Sequence, residues 1–327
     1  MPTTMRAIAI KGGKGPAEAM HVVDVEKPVP ASGQALVKIH AFGLNRMDLL
    51  QREGQYPLPP QAPETMGVEF SGVIESFGDN AEASGDFKRG DEVFGLAYGG
   101  AYAEYIVVST KMLVHKPSQL SWEEAAGVPE TWITATQALF LIGEFKKGQS
   151  VLWHAGASSV SISGIQLAKA EGASAIYATA GSQEKIDFLE KELGVTKAFN
   201  YNTEDWAMNV IVDFIGAPYF QGNLNTAARD GRVVVLGVMG GAKLPDGVNM
   251  APLLFKRVRL EGSTLRSRDE EYQGKLRDTL VEHALPKFCD GSFKVFVEKV
   301  FSFEEIVQAH QLLESNKTKG KLICKVA

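Results

Sequence analysis

Hydrophobic positions follow two different patterns along the chain, and the change lies near Trp122. Before that residue, short runs of β-branched and aromatic residues alternate with Gly and Pro, as in ALVKIHAFGLN, GVEFSGVIESFG, DEVFGLAYGG and YAEYIVVS. Apolar runs of this length, bounded by turn-forming residues, are typical of short β-strands. The first third of the chain is therefore predicted to be a β-rich module.

Beyond Trp122, strand-like runs alternate with helical patterns in a repeating βα order. Strands are predicted at VLWHAG, AIYATA, KAFNY, NVIVDFIG, RVVVLG and VRLEGS, and helices at SISGIQLAKAEG and SQEKIDFLEKELG, each of which ends at a Gly. This alternation predicts an α/β class with a parallel sheet. After Ser267, a long helical pattern, the run KVFVEKVFSF and a final helix are predicted to return to the first module.

One connection in the predicted sheet is unusually short. Only residues 202–208 lie between the strand that ends at Tyr201 and the strand that begins at Asn209. A crossover between parallel strands needs about a dozen residues or more. Either a crossover helix has been deleted, or residues between these strands are absent from this sequence.

Composition limits the function classes. The 327 residues are enough for two domains, and 45% hydrophobic with 22% charged residues is typical of globular proteins. A net charge of -5, with one small basic cluster at 256–268, argues against nucleic-acid binding. The two cysteines, Cys289 and Cys324, lack the spacing of a zinc site or a disulfide framework. With no apolar run of signal-peptide or membrane-spanning length, a cytoplasmic protein is expected.

A turn of small residues follows the first predicted strand of the βα region, within WHAGASSVSISGIQLAKAEG (153–172). Small side chains let the backbone approach a pyrophosphate, and the helix that follows presents unpaired N–H groups. The residues concerned are Ala155, Gly156, Ala157, Ser158, Ser159 and Ser161. The alternative interpretation is a strand–helix connection that is merely tightly packed.

The end of the second strand, AIYATAGSQEK, carries no acidic residue at the position where NAD-type sites hold the ribose hydroxyls. Gly181, Ser182 and Lys185 could instead hold a 2′-phosphate, with Tyr201 as a lid. The alternative is that Ser182 only caps a helix and that Lys185 is a solvated surface residue. The first interpretation predicts NADPH as the cofactor.

The motifs GLNRMDLLQREGQYPLPP, GDEVFGLAYGGAYAEY, HAGASSVSISGIQLAK, AGSQEK, DFIGAPYF, GRVVVLGVMGG and LRSRD occur in this order. Together they resemble the quinone oxidoreductase branch of the medium-chain dehydrogenase/reductase superfamily. Within this branch the chain is similar to the zeta-crystallins and more similar to the stress-inducible NADPH:quinone reductases. The resemblance implies a Rossmann domain with a doubly wound parallel sheet (124–267) inserted in a β-rich GroES-like catalytic domain (1–123 and 268–327). It also implies a homodimer in which the strand Val258–Gly262 pairs with its mate.

The resemblance also assigns site residues. Asn45 and Tyr56 are expected to line the nicotinamide and substrate cleft, where the Tyr56 phenol would stack on a flat acceptor and donate to its carbonyl oxygen. Cofactor contacts are expected from Thr134, Ala157, Ser158, Ser159, Val160, Gly181, Ser182, Lys185, Tyr201, Leu236, Gly237, Leu265, Arg266 and Ser267. In the alternative interpretation these side chains are structural. Asn45 would serve a turn, Tyr56 would close a loop, Arg46 and Asp48 would pair on a surface, and the Thr134 hydroxyl would bond its own helix.

Zinc-dependent relatives carry Gly-His-Glu where this chain has Gly67-Val68-Glu69, and valine offers no ligand atom. No metal is therefore expected, and without a Lewis acid an electrophilic acceptor is favoured over an alcohol. The chain also has Ser158-Ser159-Val160-Ser161 where the family usually has Ser-Gly-Val-Gly. The sequence predicts a zinc-independent NADPH:quinone oxidoreductase with its small-molecule quinone bound between the domains. The alternatives are an NADPH-dependent enone or enoyl reductase and a non-catalytic NADPH-binding protein.

Overall fold

A computed structural model describes residues 3–79, 87–200 and 208–326, which form two compact units. Unit 1 comprises Met1–Ile133 and Leu265–Ala327, and unit 2 comprises Thr134–Thr264. The strands are β1 (Thr4–Ile10), β2 (Met20–Glu26), β3 (Gln34–Leu44), β4 (Glu69–Phe77), β5 (Glu92–Leu96), β6 (Tyr105–Ser109), β7 (Leu113–His115), β8 (Ser150–Trp153), β9 (Ala175–Ala180), β10 (Lys197–Asn200), β11 (Met208–Asp213), β12 (Ala227–Val235), β13 (Arg259–Gly262), β14 (Val297–Ser302) and β15 (Lys321–Lys325).

The α-helices are α1 (Arg46–Arg52), α2 (Trp122–Ala126), α3 (Pro129–Thr136), α4 (Ser159–Ala170), α5 (Gln183–Lys191), α6 (Phe220–Thr226), α7 (Ala251–Phe255), α8 (Glu270–His283), α9 (Leu285–Cys289) and α10 (Ile306–Glu314). Single 3₁₀ turns occur at Ala17–Ala19, Thr110–Met112, Ala217–Tyr219 and Phe303–Glu305, and a π-helix at Gln137–Ile142. None of the helices in the described ranges is long and apolar enough to cross a membrane.

Unit 1 is built on a seven-stranded sheet of order β14-β15-β3-β4-β5-β7, with β6 also paired to β3, and on a separate antiparallel pair of β1 and β2. Phe42, Phe70 and Phe94 are fully buried on three neighbouring strands of the large sheet. In the register of this sheet, Leu44 at the end of β3 lies opposite Leu322 near the start of β15. The carboxyl end of β3 therefore lies between the first residues of β4 and β15.

Unit 2 contains a parallel six-stranded sheet of order β10-β9-β8-β11-β12-β13. The first three strands run outward in one direction and the next three in the other, which is the doubly wound order of a Rossmann fold. The predicted fold class is thereby confirmed. Gly172 and Gly194, which end the two predicted helices, both have positive φ values. Of the short segment 202–208, for which a deletion or absent residues were predicted, residues 202–207 lie outside the described ranges and Met208 begins β11.

Helix α4 packs unusually closely on strand β8. A Cβ atom at Gly164 would overlap the six-membered ring of Trp153, which is itself fully buried. Glycine at this position lets the helix lie directly on the strand, which is one of the roles that glycine has in dinucleotide-binding units. The start of α4 is thereby fixed beside the carboxyl end of β8.

Candidate active site

Three polar side chains from three elements meet at the carboxyl end of β3. The Asn45 amide donates from Nδ2 to Oε1 of Glu69 over 2.8 Å and accepts at Oδ1 from Lys321 Nζ over 2.7 Å. Lys321 and Glu69 also form an ion pair, and both are almost fully buried. A Cβ atom at Gly43 would lie 2.8 Å from Lys321 Cε, so glycine leaves the space for this cluster. A buried charge needs such a partner, because an unpaired one is costly.

Asp48 lies beside this cluster, in the first turn of α1. Its Oδ2 atom accepts from the backbone N–H of Asn45 over 2.7 Å and from the Tyr102 hydroxyl over 2.9 Å. Burial raises the pKa of Asp48 to about 6, although these hydrogen bonds oppose the shift. The alternative of a surface pair between Arg46 and Asp48 is wrong, because Asp48 is fully buried and Arg46 instead donates to the carbonyl of Leu313.

Tyr56 packs over the guanidinium group of Arg266, whose Cζ lies 5.5 Å from the centroid of the ring. Arg266 is 3% exposed and donates from Nη1 to Gln51 Oε1 over 2.7 Å and from Nε to the carbonyl of Tyr98 over 2.8 Å. Burial raises the pKa of the Tyr56 phenol. Tyr56 was predicted to line the substrate cleft and Arg266 to contact the cofactor, and the structure brings the two side chains together within unit 1.

Glu130 was not predicted and belongs to the same region. It follows Pro129 at the start of α3, and its backbone N–H donates to Glu69 Oε2 over 2.9 Å. Burial and the nearby Glu69 carboxylate raise the pKa of Glu130 to about 7, against the attraction of Lys321 and Arg266. The available sequence signal was an acidic residue at the start of a helix, four positions before Thr134.

The predicted pyrophosphate turn of unit 2 joins β8 to α4. Ala155 adopts a φ of 48°, the left-handed region that is rare for residues with a Cβ atom. Ser158 is the N-cap of α4 and accepts from the backbone N–H of Ser161 over 3.4 Å. The Ser161 hydroxyl, which is fully buried, donates to the carbonyl of His154 over 2.9 Å. Serine at this position therefore ties the helix to the turn, a contact that glycine could not make.

A buried hydrogen-bond chain supports this turn from behind and was not predicted. Asn223 donates from Nδ2 to Asp213 Oδ2 over 2.8 Å, and its Oδ1 lies 2.7 Å from His154 Nε2. His154 Nδ1 lies 3.2 Å from Thr179 Oγ1, which accepts from the Ala155 backbone N–H over 3.2 Å. Because Asn223 Oδ1 and Ala155 N–H have fixed roles, His154 carries its proton on Nε2 and accepts from the Thr179 hydroxyl. Burial lowers the pKa of His154 and favours this neutral form.

The end of β9 carries the predicted 2′-phosphate residues. Ser182 is the N-cap of α5 and accepts from the backbone N–H of Lys185 over 3.4 Å. The capping role that was the alternative interpretation is therefore present, and the Ser182 hydroxyl keeps its proton for a further acceptor. Gly181 and Ser182 are exposed and Lys185 is partly exposed. Tyr201, the predicted lid, lies outside the described residues.

The other predicted cofactor residues occupy two places. In unit 2, Ala157 is buried, and Ser159 and Val160 begin α4. Farther along the chain, the backbone N–H of Leu236, next to Gly237, donates to the Asp213 carbonyl over 2.8 Å. The Thr134 hydroxyl is buried without a hydrogen-bond partner among the described residues, so the alternative of a bond to its own helix is wrong. In unit 1, Leu265 and Arg266 are buried and Ser267 is exposed.

Two family models match the chain. The alcohol dehydrogenase GroES-like domain matches residues 31–118, and the zinc-binding dehydrogenase model matches residues 159–281. The mouse quinone oxidoreductase is 29% identical over 334 residues, which cover 98% of this chain and 97% of the mouse protein. The chain belongs to the medium-chain dehydrogenase/reductase superfamily. The resemblance stated from the motifs is thereby confirmed, and the chain is an oxidoreductase.

Solved structures of the superfamily share the fold over nearly the whole chain. An NAD-dependent alcohol dehydrogenase is 29% identical, with a TM-score of 0.84 over 99% of this chain and 100% of the other. A mycobacterial protein complexed with NADPH is 27% identical, with a TM-score of 0.85 over 98% of this chain and 100% of the other. The chain thus belongs to a family of NAD(P)-dependent oxidoreductases, and both NAD and NADPH are named among its structural neighbours.

Zinc is implied by the name of one family model, but the residues present do not fit a catalytic zinc ion. Val68 is fully buried and has no donor atom, and Glu69 is already paired with Lys321 and Asn45. A catalytic site needs about three protein ligands. Within residues 3–79, 87–200 and 208–326, no group of three or more His, Cys, Asp or Glu side chains is placed to hold a metal ion.

A nicotinamide dinucleotide does fit this member of the superfamily. The close approach of α4 to β8 at Gly164 places the amino end of a helix of 12 residues at the carboxyl edge of a parallel sheet. Within the described ranges, the buried Thr134 hydroxyl has no hydrogen-bond partner, and a carboxamide would supply one. Unit 2 therefore carries the candidate cofactor site, and unit 1 carries the cluster of Asn45, Asp48, Tyr56, Glu130 and Arg266.

Proposed function

We propose that this oxidoreductase uses NADPH to reduce a quinone without a metal ion. The observation that carries this proposal is the engagement of Glu69 by Lys321 and Asn45. The carboxylate is neutralised by a side chain of the protein itself, next to a valine that cannot bind zinc. Without a Lewis acid, an alkoxide has no strong stabilisation, so an acceptor that is already electrophilic fits the site better than an alcohol.

The cofactor would be held by unit 2. The amide groups and hydroxyls at the start of α4, from Ser158 to Val160, would bind the pyrophosphate, and the Thr134 hydroxyl would bind the carboxamide. Gly181, Ser182 and Lys185 would hold the 2′-phosphate that distinguishes NADPH from NADH. The absence of an acidic residue between Ala178 and Gln183 supports this choice. Roles for Tyr201, Leu236 and Gly237 remain predictions from the resemblance.

The acceptor would bind in unit 1. The Tyr56 ring offers a flat face for a quinone, and Asn45 is held rigidly by Glu69 and Lys321. NADPH supplies two electrons and one proton for each quinone, and a second proton completes the hydroquinone. The Glu130 carboxyl, whose pKa is raised to about 7, is the group that we assign to the delivery of this proton. Leu265 and Ser267 remain predicted cofactor contacts.

A steady-state screen of cofactor oxidation tests this function. We expect ortho- and para-quinones to support rapid oxidation of NADPH and much slower oxidation of NADH. We expect no reduction of NADP⁺ by alcohols. If enones or enoyl thioesters are turned over faster than quinones and the saturated product is recovered, the substrate belongs to that class and not to the quinones. Tight NADPH binding with no turnover of any acceptor would identify a non-catalytic binding protein. The cytoplasmic location and the homodimer also remain predictions.

A further inference from the structure

Arg266 carries a buried positive charge that has no direct ionic partner in the part of the chain that the structure describes. Its side chain is 3% exposed, its Nε and Nη1 atoms donate to neutral oxygens of Tyr98 and Gln51, and its Nη2 atom is buried without a partner among the described residues. Buried arginines are normally paired with carboxylates, and a donor left unsatisfied in the interior is destabilising. A buried donor in this state calls for a specific explanation, and a catalytic role is one of those found in folded proteins.

The surroundings of Arg266 indicate the kind of ligand. The ring of Tyr56 packs over the guanidinium, with its centroid 5.5 Å from Cζ, so an aromatic side chain lies beside the unsatisfied donor. The acidic groups that lie near Arg266 are the carboxyls of Asp48 and Glu130 and the Tyr56 phenol. These acidic groups make the site poorly suited to a phosphate with its multiple negative charges. They suit a neutral, flat molecule with an oxygen that becomes negative only during the reaction.

We propose that Arg266 binds the acceptor rather than the cofactor, by donating from Nη2 to the carbonyl oxygen on which negative charge develops. This inference rests on the proposed quinone reductase activity and names the residue that stabilises its charged state. Two donors already fix the plane of the guanidinium, so Nη2 is held in position before the acceptor arrives. Such preorganised donors are effective because they need no reorganisation during the reaction.

The geometry also explains why lysine would be a poor substitute. Arg266 uses three nitrogen atoms in a single plane, two to hold itself and one for the ligand. A lysine ammonium carries the charge but cannot reproduce the planar fork or the packing against Tyr56. Charge alone is therefore insufficient, and the Arg266→Lys variant separates the effect of geometry from that of charge.

The kinetic test compares Arg266→Gln with the wild-type holoenzyme. We expect kcat with quinones to fall roughly a hundredfold, as for the loss of one oxyanion donor, while NADPH affinity changes less than about twofold. Arg46→Gln is the control, because Arg46 is a partly buried arginine of unit 1 that also donates to a backbone carbonyl. An NADPH affinity that falls tenfold or more with kcat unchanged would overturn the proposal and return Arg266 to the cofactor site.

A binding test keeps the inference separate from the proposed activity. The protein without cofactor is titrated with 4-nitrophenolate, a flat aromatic anion that resembles the charged state of the acceptor and reports binding by its absorbance. We expect Arg266→Gln and Arg266→Lys each to weaken binding roughly tenfold or more, and Arg46→Gln to leave it unchanged. If the wild type reduces no quinone but the Arg266 variants lose 4-nitrophenolate binding, the proposed function fails and the anion site at Arg266 is still supported. Equal binding by wild type and Arg266→Lys would overturn the inference, even if Arg266→Gln does not fold.

Discussion

The backbone N–H of Glu130 donates to Oε2 of Glu69 over 2.9 Å, so two acidic residues that are distant in the chain meet where helix α3 begins. Their electrostatic situations differ. Glu69 is paired with the Lys321 ammonium, whereas the Glu130 carboxyl is buried beside the Glu69 charge, and its pKa rises to about 7. One carboxyl is thus committed to structure, and the other exchanges its proton near neutral pH.

The first prediction concerns pH and activity. If Glu130 delivers the proton, kcat with a quinone should fall as the pH rises through about 7, because the carboxyl then loses its proton. Glu130→Gln should lower kcat roughly tenfold to a hundredfold and remove this decline from the pH profile. A profile that is unchanged in Glu130→Gln would assign the titration to another group.

The Glu130 carboxyl also affects the free energy of unfolding, and the direction of its pKa shift determines whether it stabilises the protein at a given pH. A pKa raised from 4.5 to about 7 means that the folded state binds the proton more tightly than the unfolded state. Its stabilising effect is complete below the unfolded pKa and is lost as the pH rises through the folded pKa. Near pH 8, Glu130→Gln should therefore be more stable than wild type by up to about 3 kcal/mol, with little difference near pH 4. Urea unfolding at both pH values measures this, and an equal difference at both would contradict it.

Tyr56→Phe should lower the rate of quinone reduction while NADPH affinity hardly changes. The ring remains in place over Arg266, but the hydroxyl that would donate to the acceptor is removed. Loss of one such hydrogen bond corresponds to about a tenfold decrease in rate. Tyr56→Ala should decrease it further, because the aromatic face is also lost. Unaltered turnover in Tyr56→Phe would leave Tyr56 with a structural role only.

Lys185→Ala tests the choice of cofactor. Loss of one charge-assisted contact to the 2′-phosphate costs about 1.5–3 kcal/mol, which weakens NADPH binding roughly tenfold to a hundredfold. NADH has no 2′-phosphate, so its affinity should hardly change. Lys191→Ala is the control, since Lys191 lies on the same helix and pairs with Asp187. Titration of both cofactors measures the effect. Equal losses of NADPH and NADH affinity would show that Lys185 supports the fold. A wild type that prefers NADH would contradict the proposed phosphate site.

Thr179→Val tests the hydrogen-bond chain behind the pyrophosphate turn. Valine has nearly the same shape but neither donates to His154 nor accepts from the Ala155 N–H. Because the turn serves both cofactors, we expect NADPH and NADH to lose affinity by the same factor, roughly tenfold. Ser163→Ala is the control, since it also removes a buried hydroxyl of unit 2, one that donates within α4. A loss confined to NADPH would contradict this role of the chain.

The homodimer prediction concerns the edge of the unit 2 sheet. All four residues of β13 are exposed, and large apolar side chains nearby in sequence are exposed too, among them Leu254 and Phe255 at 72% each. Exposed edges and apolar patches of this kind normally pair with another chain. Phe255→Asp should shift sedimentation from dimer to monomer, whereas Val29→Asp, at a position that is 84% exposed in unit 1, should not. A wild type that sediments as a monomer would remove the prediction.

The parallel sheet of unit 2 was predictable because apolar runs, helical periodicity and terminal glycines are local properties of the sequence. Asn45, Tyr56 and Arg266 were recognised as site residues through motifs. The interactions that define the site were not local. Asn45 and Lys321 are 276 positions apart, and Glu130 became relevant only once Glu69 was found beside it. The chain through His154 likewise depends on the packing of β8, β9, β11 and α6, which no single motif encodes.

Unit 1 is assembled from two chain segments, one before unit 2 and one after it. Strand β15, which carries Lys321, lies in the second segment and is therefore synthesised after all of unit 2. During synthesis, unit 2 is a continuous segment and can form its sheet without waiting for later residues. The Glu69 carboxylate, in contrast, has no ammonium partner until β15 emerges from the ribosome and pairs with β3. Neutralisation of this buried acid is thus a late step of biogenesis, and a nascent chain that stops before Lys321 cannot complete unit 1.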